Sequence, residues 1–462
     1  MRKSAGDVIE ISKGRRHGRC SPMQERWYRL RQSHPDARSR PPFQVTEDWT
    51  LNGAIDDRLL QASWTAIVDR HWTLRSMFAW DGDRLSQSVG DVSDSHQLEL
   101  HDLTAFASDS PQVRQLVREI YQTPLDLEHG RGFRAALIRW RDGTRLILTV
   151  DQLVCDCYST QILRRDLLAV YAAVSADPQR DPRSVLGALT YQYLDWAEHQ
   201  WQLLAGDYGT ALRAFWTQRL AGAPEMIVRE DHHSVGAMGR GWKAEASLDP
   251  ELIAQVDEGS AQADSTATRS RAEIFSRVAS KPIALLSVLF AQLYRTTAQT
   301  DLSVVVTLPG RIPKFSRVVG LFVVPVMIRI QLHDALTFSE ISQRVADAFL
   351  EADDWRKVPL YAAIDPPASL SRVRFSYERG GGSSDTAGLA LTPSVDRWVG
   401  ESYMDADLEF LFFESAVPGS LVLKLFGRAD KFKRETLEDL AGDLVELAAG
   451  FLGSPERTLT KT

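Results

Sequence analysis

The feature that most restricts the fold is a strand that runs into a short polar turn and then a helix. Residues 146–150 form a continuous apolar run, which predicts a buried strand. Apolar side chains recur at helical spacing after residue 160 and predict a helix. Asp151, Asp156 and Ser159 lie between the two elements. A helix N-terminus has unpaired N–H groups, so capping explains Ser159 and Asp156, whereas a buried Asp151 would need a partner of its own.

Length, charge and cysteines narrow the class of protein. The chain has 462 residues, of which 44% are hydrophobic, and a net charge of −7. That length fits two or three domains or one large two-lobed unit. The acidic balance argues against nucleic acid as a partner, and no apolar run approaches the ~20 residues that cross a bilayer, which argues against a membrane partner. No two of the three cysteines have CxxC spacing, which disfavours a zinc site. Cysteines that are few and apparently unpaired suit a reducing cytoplasm.

The order of predicted elements divides the chain. Residues 1–20 are basic and polar, without the apolar run of a secretory signal, and predict a disordered leader. Residues 21–176 mix strands and helices and predict an N-terminal lobe. Residues 177–190 are polar and contain proline, which predicts a linker between lobes. Residues 191–462 repeat a similar order of elements and predict a C-terminal lobe, so the predicted class is α+β.

Several motifs occur in an order that resembles one known superfamily. The segment Ser21-Pro-Met-Gln-Glu-Arg-Trp-Tyr28 resembles its opening SxAQxRLW motif, and Arg70-His-Trp-Thr-Leu-Arg-Ser-Met-Phe78 resembles its RHExLRTxF motif. Residues 215–224 resemble YWxxxLAGAP, and residues 302–332 resemble DVVVGTPVAGR…GFFVNTLVLRVDL. On these motifs the chain resembles the condensation superfamily of non-ribosomal peptide synthetases over nearly its whole length.

The polar turn after the first buried run lies where the superfamily has its core motif, HHxxxDG. Asp151 and Gln152 stand in the places of the two histidines. The heterocyclization branch of the superfamily carries DxxxxDxxS instead, and the spacing of Asp151, Asp156 and Ser159 matches that pattern. The later GDFT signature of that branch is replaced here by Gly320-Leu-Phe-Val, which resembles ordinary condensation domains.

The resemblance implies an architecture and a set of partners. Its members are two chloramphenicol-acetyltransferase-like lobes that form a V-shaped pseudo-dimer with a central channel, and the core motif lies at the middle of that channel. Peptidyl or acyl carrier proteins act in trans and bring thioesters on a phosphopantetheine arm, together with other synthetase modules. No intrinsic cofactor is implied.

The resemblance also implies roles at the core motif. Asp156 is expected to pair with Arg311 as a structural ion pair, beside Ser159 as a helix cap. Asp151 is expected to orient an amine or accept its proton, and its alternative is a solvated or capping carboxylate at a degenerate site. Gln152 does not titrate, so its expected role is a hydrogen bond to a carbonyl or oxyanion.

Heterocyclization enzymes use a further hydroxyl and carboxylate for cyclodehydration. The hydroxyl would come here from Ser376 and the carboxylate from Glu409, both in the predicted C-terminal lobe. These two residues complete the predicted catalytic set of Asp151, Gln152, Ser376 and Glu409.

Two classes of function follow. The first is a free-standing condensation-type enzyme that joins a carrier-bound acyl or aminoacyl thioester to an amine, with heterocyclization of Cys, Ser or Thr as a sub-case. The alternative is a catalytically degenerate condensation-like domain that recruits a partner enzyme or carrier protein, which loss of both histidines predicts. A third possibility is an acyltransferase with a soluble acceptor, although such enzymes normally keep the histidine. Asp151 at an open channel favours the enzyme, and a filled site favours the recruiting domain.

Overall fold

The computed structural model describes residues 14–33, 44–53, 55–234, 239–261, 280–379, 384–386, 389–393, 403–414 and 419–459. The chain forms two compact units. Unit 1 comprises residues 1–210, 311–322 and 383–400, and unit 2 comprises residues 211–310, 323–382 and 401–462. No helix in the described ranges is long and apolar enough to cross a membrane.

The described strands are short to medium in length. In chain order they are β1 (His17–Arg19), β2 (Gln44–Asn52), β3 (Ser76–Trp80), β4 (Leu85–Val89), β5 (Glu99–Leu103), β6 (Phe133–Trp140), β7 (Gly143–Asp151), β8 (Gly239–Leu248), β9 (Asp301–Pro309), β10 (Val323–Gln331), β11 (Val373–Arg379), β12 (Ser384–Thr386), β13 (Leu389–Pro393), β14 (Tyr403–Met404), β15 (Leu408–Glu414) and β16 (Leu421–Arg428).

The described helices lie between groups of these strands. They are α1 (Pro22–Ser33), α2 (Asp57–Arg70), α3 (Pro111–Gln122), α4 (Cys157–Ala176), α5 (Tyr193–Ala205), α6 (Asp207–Leu220), α7 (Pro250–Ala261), α8 (Ser280–Thr297), α9 (Phe338–Asp353), α10 (Leu360–Ala363) and α11 (Arg434–Leu452).

Unit 1 contains two sheets. The larger has six strands in the order β12-β13-β2-β7-β6-β5, and the smaller has the order β1-β4-β3. Strand β7 lies near the middle of the larger sheet and is paired antiparallel to both β2 and β6. Helix α3 packs on β6 and β7 through Val113, Ile120 and Tyr121. The central position of β7 fixes the place at which its last residue, Asp151, leaves the sheet.

Unit 2 is built on one seven-stranded sheet. Its strand order is β10-β9-β11-β15-β16-β8-β14. Helix α8 packs against both α9 and α11, and these three helices cover the strands β8, β9, β10 and β16. Strands β9 and β10 are apolar on both faces, as expected for strands that are covered on both sides.

The compact units differ from a division by sequence order. Residues 383–400 group with unit 1 because β13 pairs antiparallel with β2, where Leu391 lies opposite Leu51. Residues 311–322 group with unit 1 because their backbone is bonded to the start of α4. Backbone pairing between distant segments leaves no periodic signal in the sequence, so the predicted lobe of residues 191–462 includes parts of both units.

The predicted linker joins two helices of the same unit. Residues 177–190 run from α4 to α5, and both helices lie in unit 1. Helix α5 is held there because the hydroxyl of Tyr193 donates to Leu321 O at 2.6 Å and is bonded to Ser21 Oγ at 2.8 Å. A polar, proline-containing segment therefore serves here as a connection inside one unit.

The predicted leader differs as well. Residues 1–13 lie outside the described residues. Residues 17–19 form strand β1, which pairs with β4. The guanidinium of Arg19 makes two bonds to the Glu25 carboxylate, at 2.6 and 3.0 Å, and lies 3.3 Å from the ring centre of Trp201. These contacts hold a basic segment that composition alone predicts to be disordered.

Candidate functional site

The core-motif turn joins the end of β7 to the start of α4. The backbone N–H groups of Val154 and Cys155 donate to the carbonyl of Asp151 at 2.9 and 3.1 Å, which closes the turn. Asp156 is the N-cap of α4, and its Oδ1 accepts from the backbone N–H of Ser159 at 2.8 Å. The predicted sequence of strand, turn and helix is therefore present, with Asp156 as the capping residue.

The carboxylate of Asp151 is buried and bonded through both oxygens. The residue is 1% exposed. Its Oδ2 forms an ion pair with Nη2 of Arg31, and its Oδ1 accepts from the backbone N–H of Leu153 at 2.9 Å. A buried carboxylate is stable only when it is paired, and Arg31 supplies that partner. Asp151 is thus neither solvated nor a helix cap.

Helix α1 supplies two side chains to the turn: Gln24, which lies in the SxAQxRLW-like segment, and Arg31, which lies outside every motif named above. Gln24 donates from Nε2 to the carbonyl of Leu153 at 2.7 Å, and Arg31 pairs with Asp151. A spacing of seven residues places Gln24 and Arg31 on the same face of the helix. That spacing was visible in the sequence, but the segment that α1 contacts was not.

The Asp156–Arg311 contact lies at the centre of a buried network. Arg311 Nη2 lies 3.4 Å from Asp156 Oδ1 and donates to Ser159 Oγ at 2.8 Å. Asp156 Oδ2 also accepts from the backbone N–H of Phe322 at 2.9 Å. The Ser159 hydroxyl donates to the carbonyl of Gly320 at 2.9 Å and accepts from its N–H at 3.1 Å. Ser159 therefore binds the 311–322 segment and does not cap the helix.

Arg311 is held by more than its carboxylate partner. Its side chain is 7% exposed, and Nη1 donates to the carbonyls of Phe315, at 3.0 Å, and Val318. The guanidinium carbon lies 3.8 Å from the ring centre of Phe322. Burial lowers the pKa of Arg311, and the Asp156 charge opposes that shift. Arg311 therefore holds residues 311–322 against the start of α4.

The other side chains of the turn offer little acid–base chemistry. Gln152 is half-buried, and its amide makes no hydrogen bond among the described residues. Burial raises the pKa of the Cys155 thiol, which favours the protonated form. A general base must titrate and reach the proton that it removes, and neither Gln152 nor Cys155 meets that requirement.

Ser376 and Glu409 lie in unit 2, on the adjacent parallel strands β11 and β15. Arg374 is directly opposite Glu409, so Ser376, two residues further along β11, shares its face of the sheet. The Arg374 guanidinium lies 3.8 Å from Glu409 Oε2. Burial raises the pKa of the Glu409 carboxyl, while Arg374 opposes that shift. The two residues are neighbours, whereas Asp151 and Gln152 belong to unit 1.

His71 and Arg75, from the RHExLRTxF-like segment, have packing roles. His71 is 1% exposed, and its Nε2 is bonded to Asp166 Oδ2 at 3.1 Å. Arg75 donates to the backbone carbonyls of Val68, Asp69 and Gly90. Both side chains join α2 to neighbouring segments of unit 1.

Nearly the whole chain matches one known protein family. The family model described as Condensation domain matches residues 15–461. The chain is 26% identical over 456 residues to one of the subunits of linear gramicidin synthase from Brevibacillus parabrevis, an alignment that covers 94% of this chain and 6% of that protein. This chain therefore spans only a small part of the length of that relative.

Solved structures share the fold at low sequence identity. The X-domain in its complex with OxyB from teicoplanin biosynthesis has a TM-score of 0.76 and 23% identity, and the match covers 97% of this chain and 96% of that one. The starter condensation domain of rhizomide synthetase has a TM-score of 0.78 and 16% identity, with 96% and 97% covered. These likenesses confirm the predicted α+β fold with chloramphenicol-acetyltransferase-like lobes.

Proposed function

This chain belongs to the condensation-domain superfamily of non-ribosomal peptide synthesis, and from that premise we propose that it is a catalytically degenerate member. In this role it binds a carrier protein or a partner enzyme of the pathway. The core-motif turn then serves as a structural joint inside unit 1 and provides no general base.

The observation that supports this proposal is the state of Asp151. Its two oxygens are already bonded, one to Arg31 and one to the N–H of Leu153, and the residue is buried. The second histidine position holds Gln152, whose amide does not titrate. General-base catalysis contributes about 10²–10⁴-fold to such reactions, and no residue of this turn is placed to supply it.

The proposed partners follow from the superfamily. Carrier proteins would arrive in trans with a phosphopantetheine arm, along with other synthetase modules. A partner enzyme is the other candidate, since one X-domain of the same fold has been solved in a complex with OxyB. Through these contacts the chain would bring its partners together during peptide synthesis.

A binding experiment tests this proposal. The purified chain would be immobilised and exposed to carrier proteins, with and without the phosphopantetheine arm, and to tailoring enzymes encoded beside it. We expect saturable binding of at least one of them. Absence of saturable binding to every one would contradict a recruiting role.

A second function is favoured by one observation, the free amide of Gln152. It is half-buried and makes no hydrogen bond to any described residue, so it can donate to a thioester carbonyl or its oxyanion. Placement of an amine against that carbonyl would then give condensation without a base, because positioning alone accelerates bimolecular reactions strongly. Heterocyclization would further need Ser376 and Glu409, which are neighbours in unit 2.

A further inference from the structure

Three buried polar atoms beside Asp151 have no hydrogen-bond partner among the described residues. They are Nε of Arg31, Nε2 of Gln44 and Oγ1 of Thr149. More than nine in ten buried polar groups in proteins are bonded, so orphans gathered in one place call for an explanation. A water molecule or a ligand that is bound in the working protein is the usual one.

The sheet register places Gln44 and Thr149 beside Asp151, and the ion pair with Asp151 brings the guanidinium of Arg31 to the same place. Gln44 of β2 lies directly opposite Asp151 of β7. Thr149 precedes Asp151 by two residues on the same strand, so the three side chains share one face of the sheet. Directly opposite residues are about 5 Å apart and i, i+2 neighbours about 7 Å apart. We call Arg31, Gln44, Thr149 and Asp151 the donor cluster; all four belong to unit 1.

The donor cluster has no net charge and offers mainly N–H donors. The positive charge of Arg31 is balanced by Asp151, so the cluster as a whole is neutral. The orphaned groups of Arg31 and Gln44 are N–H donors, and the Thr149 hydroxyl either donates or accepts. Their complement is therefore an oxygen acceptor. An ammonium ligand would meet the guanidinium of Arg31, and a carboxylate would bring an unbalanced charge into a buried place.

We propose that the donor cluster binds the neutral carbonyl oxygen of an amide ligand. This inference rests on the proposed function, because it treats Asp151 as a fixed partner of Arg31. It assigns to this place a carbonyl, where the superfamily resemblance implied an amine.

The order of burial indicates how such a ligand would enter. Thr149 is fully buried and Asp151 is 1% exposed. The Arg31 side chain is 12% exposed and is the outermost of these three. Gln44 is likewise only half-buried, so a ligand would approach from the side of Arg31 and Gln44.

The test uses two probes with similar carbon skeletons: N-propylacetamide, which is neutral and has a carbonyl oxygen, and N-ethylpropylammonium, which is a cation and has none. The full chain would be labelled with ¹⁵N in glutamine side chains, and the Gln44 resonance would be assigned by its loss in Gln44→Leu. We expect N-propylacetamide to shift the Gln44 amide resonance saturably and N-ethylpropylammonium to leave it unchanged. No saturable shift, or an equal shift with the ammonium probe, would overturn the inference, since the orphaned groups would then bind water only.

Variants at Thr149 make the test specific. Thr149→Val removes one hydrogen bond and should weaken binding of N-propylacetamide about 2–10-fold, whereas Thr149→Ser keeps the hydroxyl and should retain the affinity. Thr50→Val is the matched control, because Thr50 lies on the same face of β2 but opposite Arg145. Equal affinity in Thr149→Val and Thr50→Val would contradict a ligand at the donor cluster.

The carbonyl site and the recruiting role can each be refuted without the other. Loss of partner binding would refute the recruiting role and leave a carbonyl site in place. Loss of the probe shift would refute the carbonyl site and leave the recruiting role standing.

Discussion

At the scale of the residue, the decisive feature is the partner of Asp151. Its place at the end of an apolar strand predicted that a buried Asp151 needs a partner, and the structure pairs it with Arg31. The partner itself was not predictable, because 120 residues separate the two and neither lies in a periodic pattern with the other. The Asp156–Arg311 contact is predictable only because the order of motifs in the resembling superfamily places both residues.

The Arg31–Asp151 pair predicts that removing one charge destabilises the fold more than removing both. Arg31→Met leaves Asp151 buried without a charge partner, which should reduce the free energy of unfolding by about 3–5 kcal/mol. The double variant Arg31→Met/Asp151→Leu removes both charges and should lose much less. Urea denaturation, followed by tryptophan fluorescence, measures both. An Arg31→Met variant as stable as the original chain would show that the pair contributes nothing.

His71 predicts a dependence of stability on pH. Burial lowers the pKa of its imidazole, and the hydrogen bond that the ring makes to Asp166 opposes that shift without cancelling it. The unfolded chain therefore takes up a proton first, near pH 6.5, and the contribution of a neutral His71 is lost as the pH falls from there through its lower folded value. Asp166 also has a lowered pKa, because His71 and Arg165 outweigh burial, so its contribution disappears only at more acid pH.

Urea denaturation at pH 7, 6 and 5 measures this dependence of the unfolding free energy on pH. The fall in unfolding free energy over that range should be smaller for His71→Asn than for the original chain. Equal slopes for the His71→Asn variant and the original chain would contradict the prediction.

At the scale of the element, the important contact is the one that α4 and α5 both make with residues 311–322. Apolar periodicity predicted β7 and α4, because each contacts its surroundings through a regular stripe. It could not predict that Gly320 lies against Tyr193 of α5. A Cβ atom at Gly320 would lie 1.9 Å from Cδ2 of Tyr193, so no larger residue fits there. The glycine is required by this contact between two distant segments.

Gly320→Ala should therefore destabilise unit 1, by about 1–3 kcal/mol or more, because Tyr193 and the hydrogen bonds of Ser159 must shift. The matched control is Gly442→Ala, in the exposed part of α11, where a Cβ meets nothing within 4 Å. That change should stabilise its helix by about 0.5–1 kcal/mol. Thermal denaturation compares the two variants, and a similar melting temperature for both would argue against the close packing of Gly320.

At the scale of the whole molecule, the order of motifs predicted the superfamily and its fold class, both of which the comparisons confirm. The make-up of the two units was not predictable in the same way. Strand β13 joins β2 across more than three hundred residues, and the segment at residues 311–322 joins α4. The pairing of β13 with β2 depends on backbone hydrogen bonds, which any sequence can make, so it leaves little trace in composition or spacing. The 311–322 segment is bonded to the side chains of Asp156 and Ser159, and neither periodicity nor composition indicates partners so distant in the sequence.

The central claim is that Asp151 is a structural partner of Arg31 and takes no part in amide formation. An intact-mass assay with one carrier protein loaded with a donor thioester and another loaded with an acceptor amine tests this most directly. The original chain, Asp151→Asn and Gln152→Ala would be compared, with a histidine-bearing condensation domain as the positive control. Product lost only in Gln152→Ala would support positioning by that amide. We expect neither an amide product nor its dehydrated heterocycle above the protein-free background. Product formed by the original chain and abolished in a folded Asp151→Asn variant would contradict the claim.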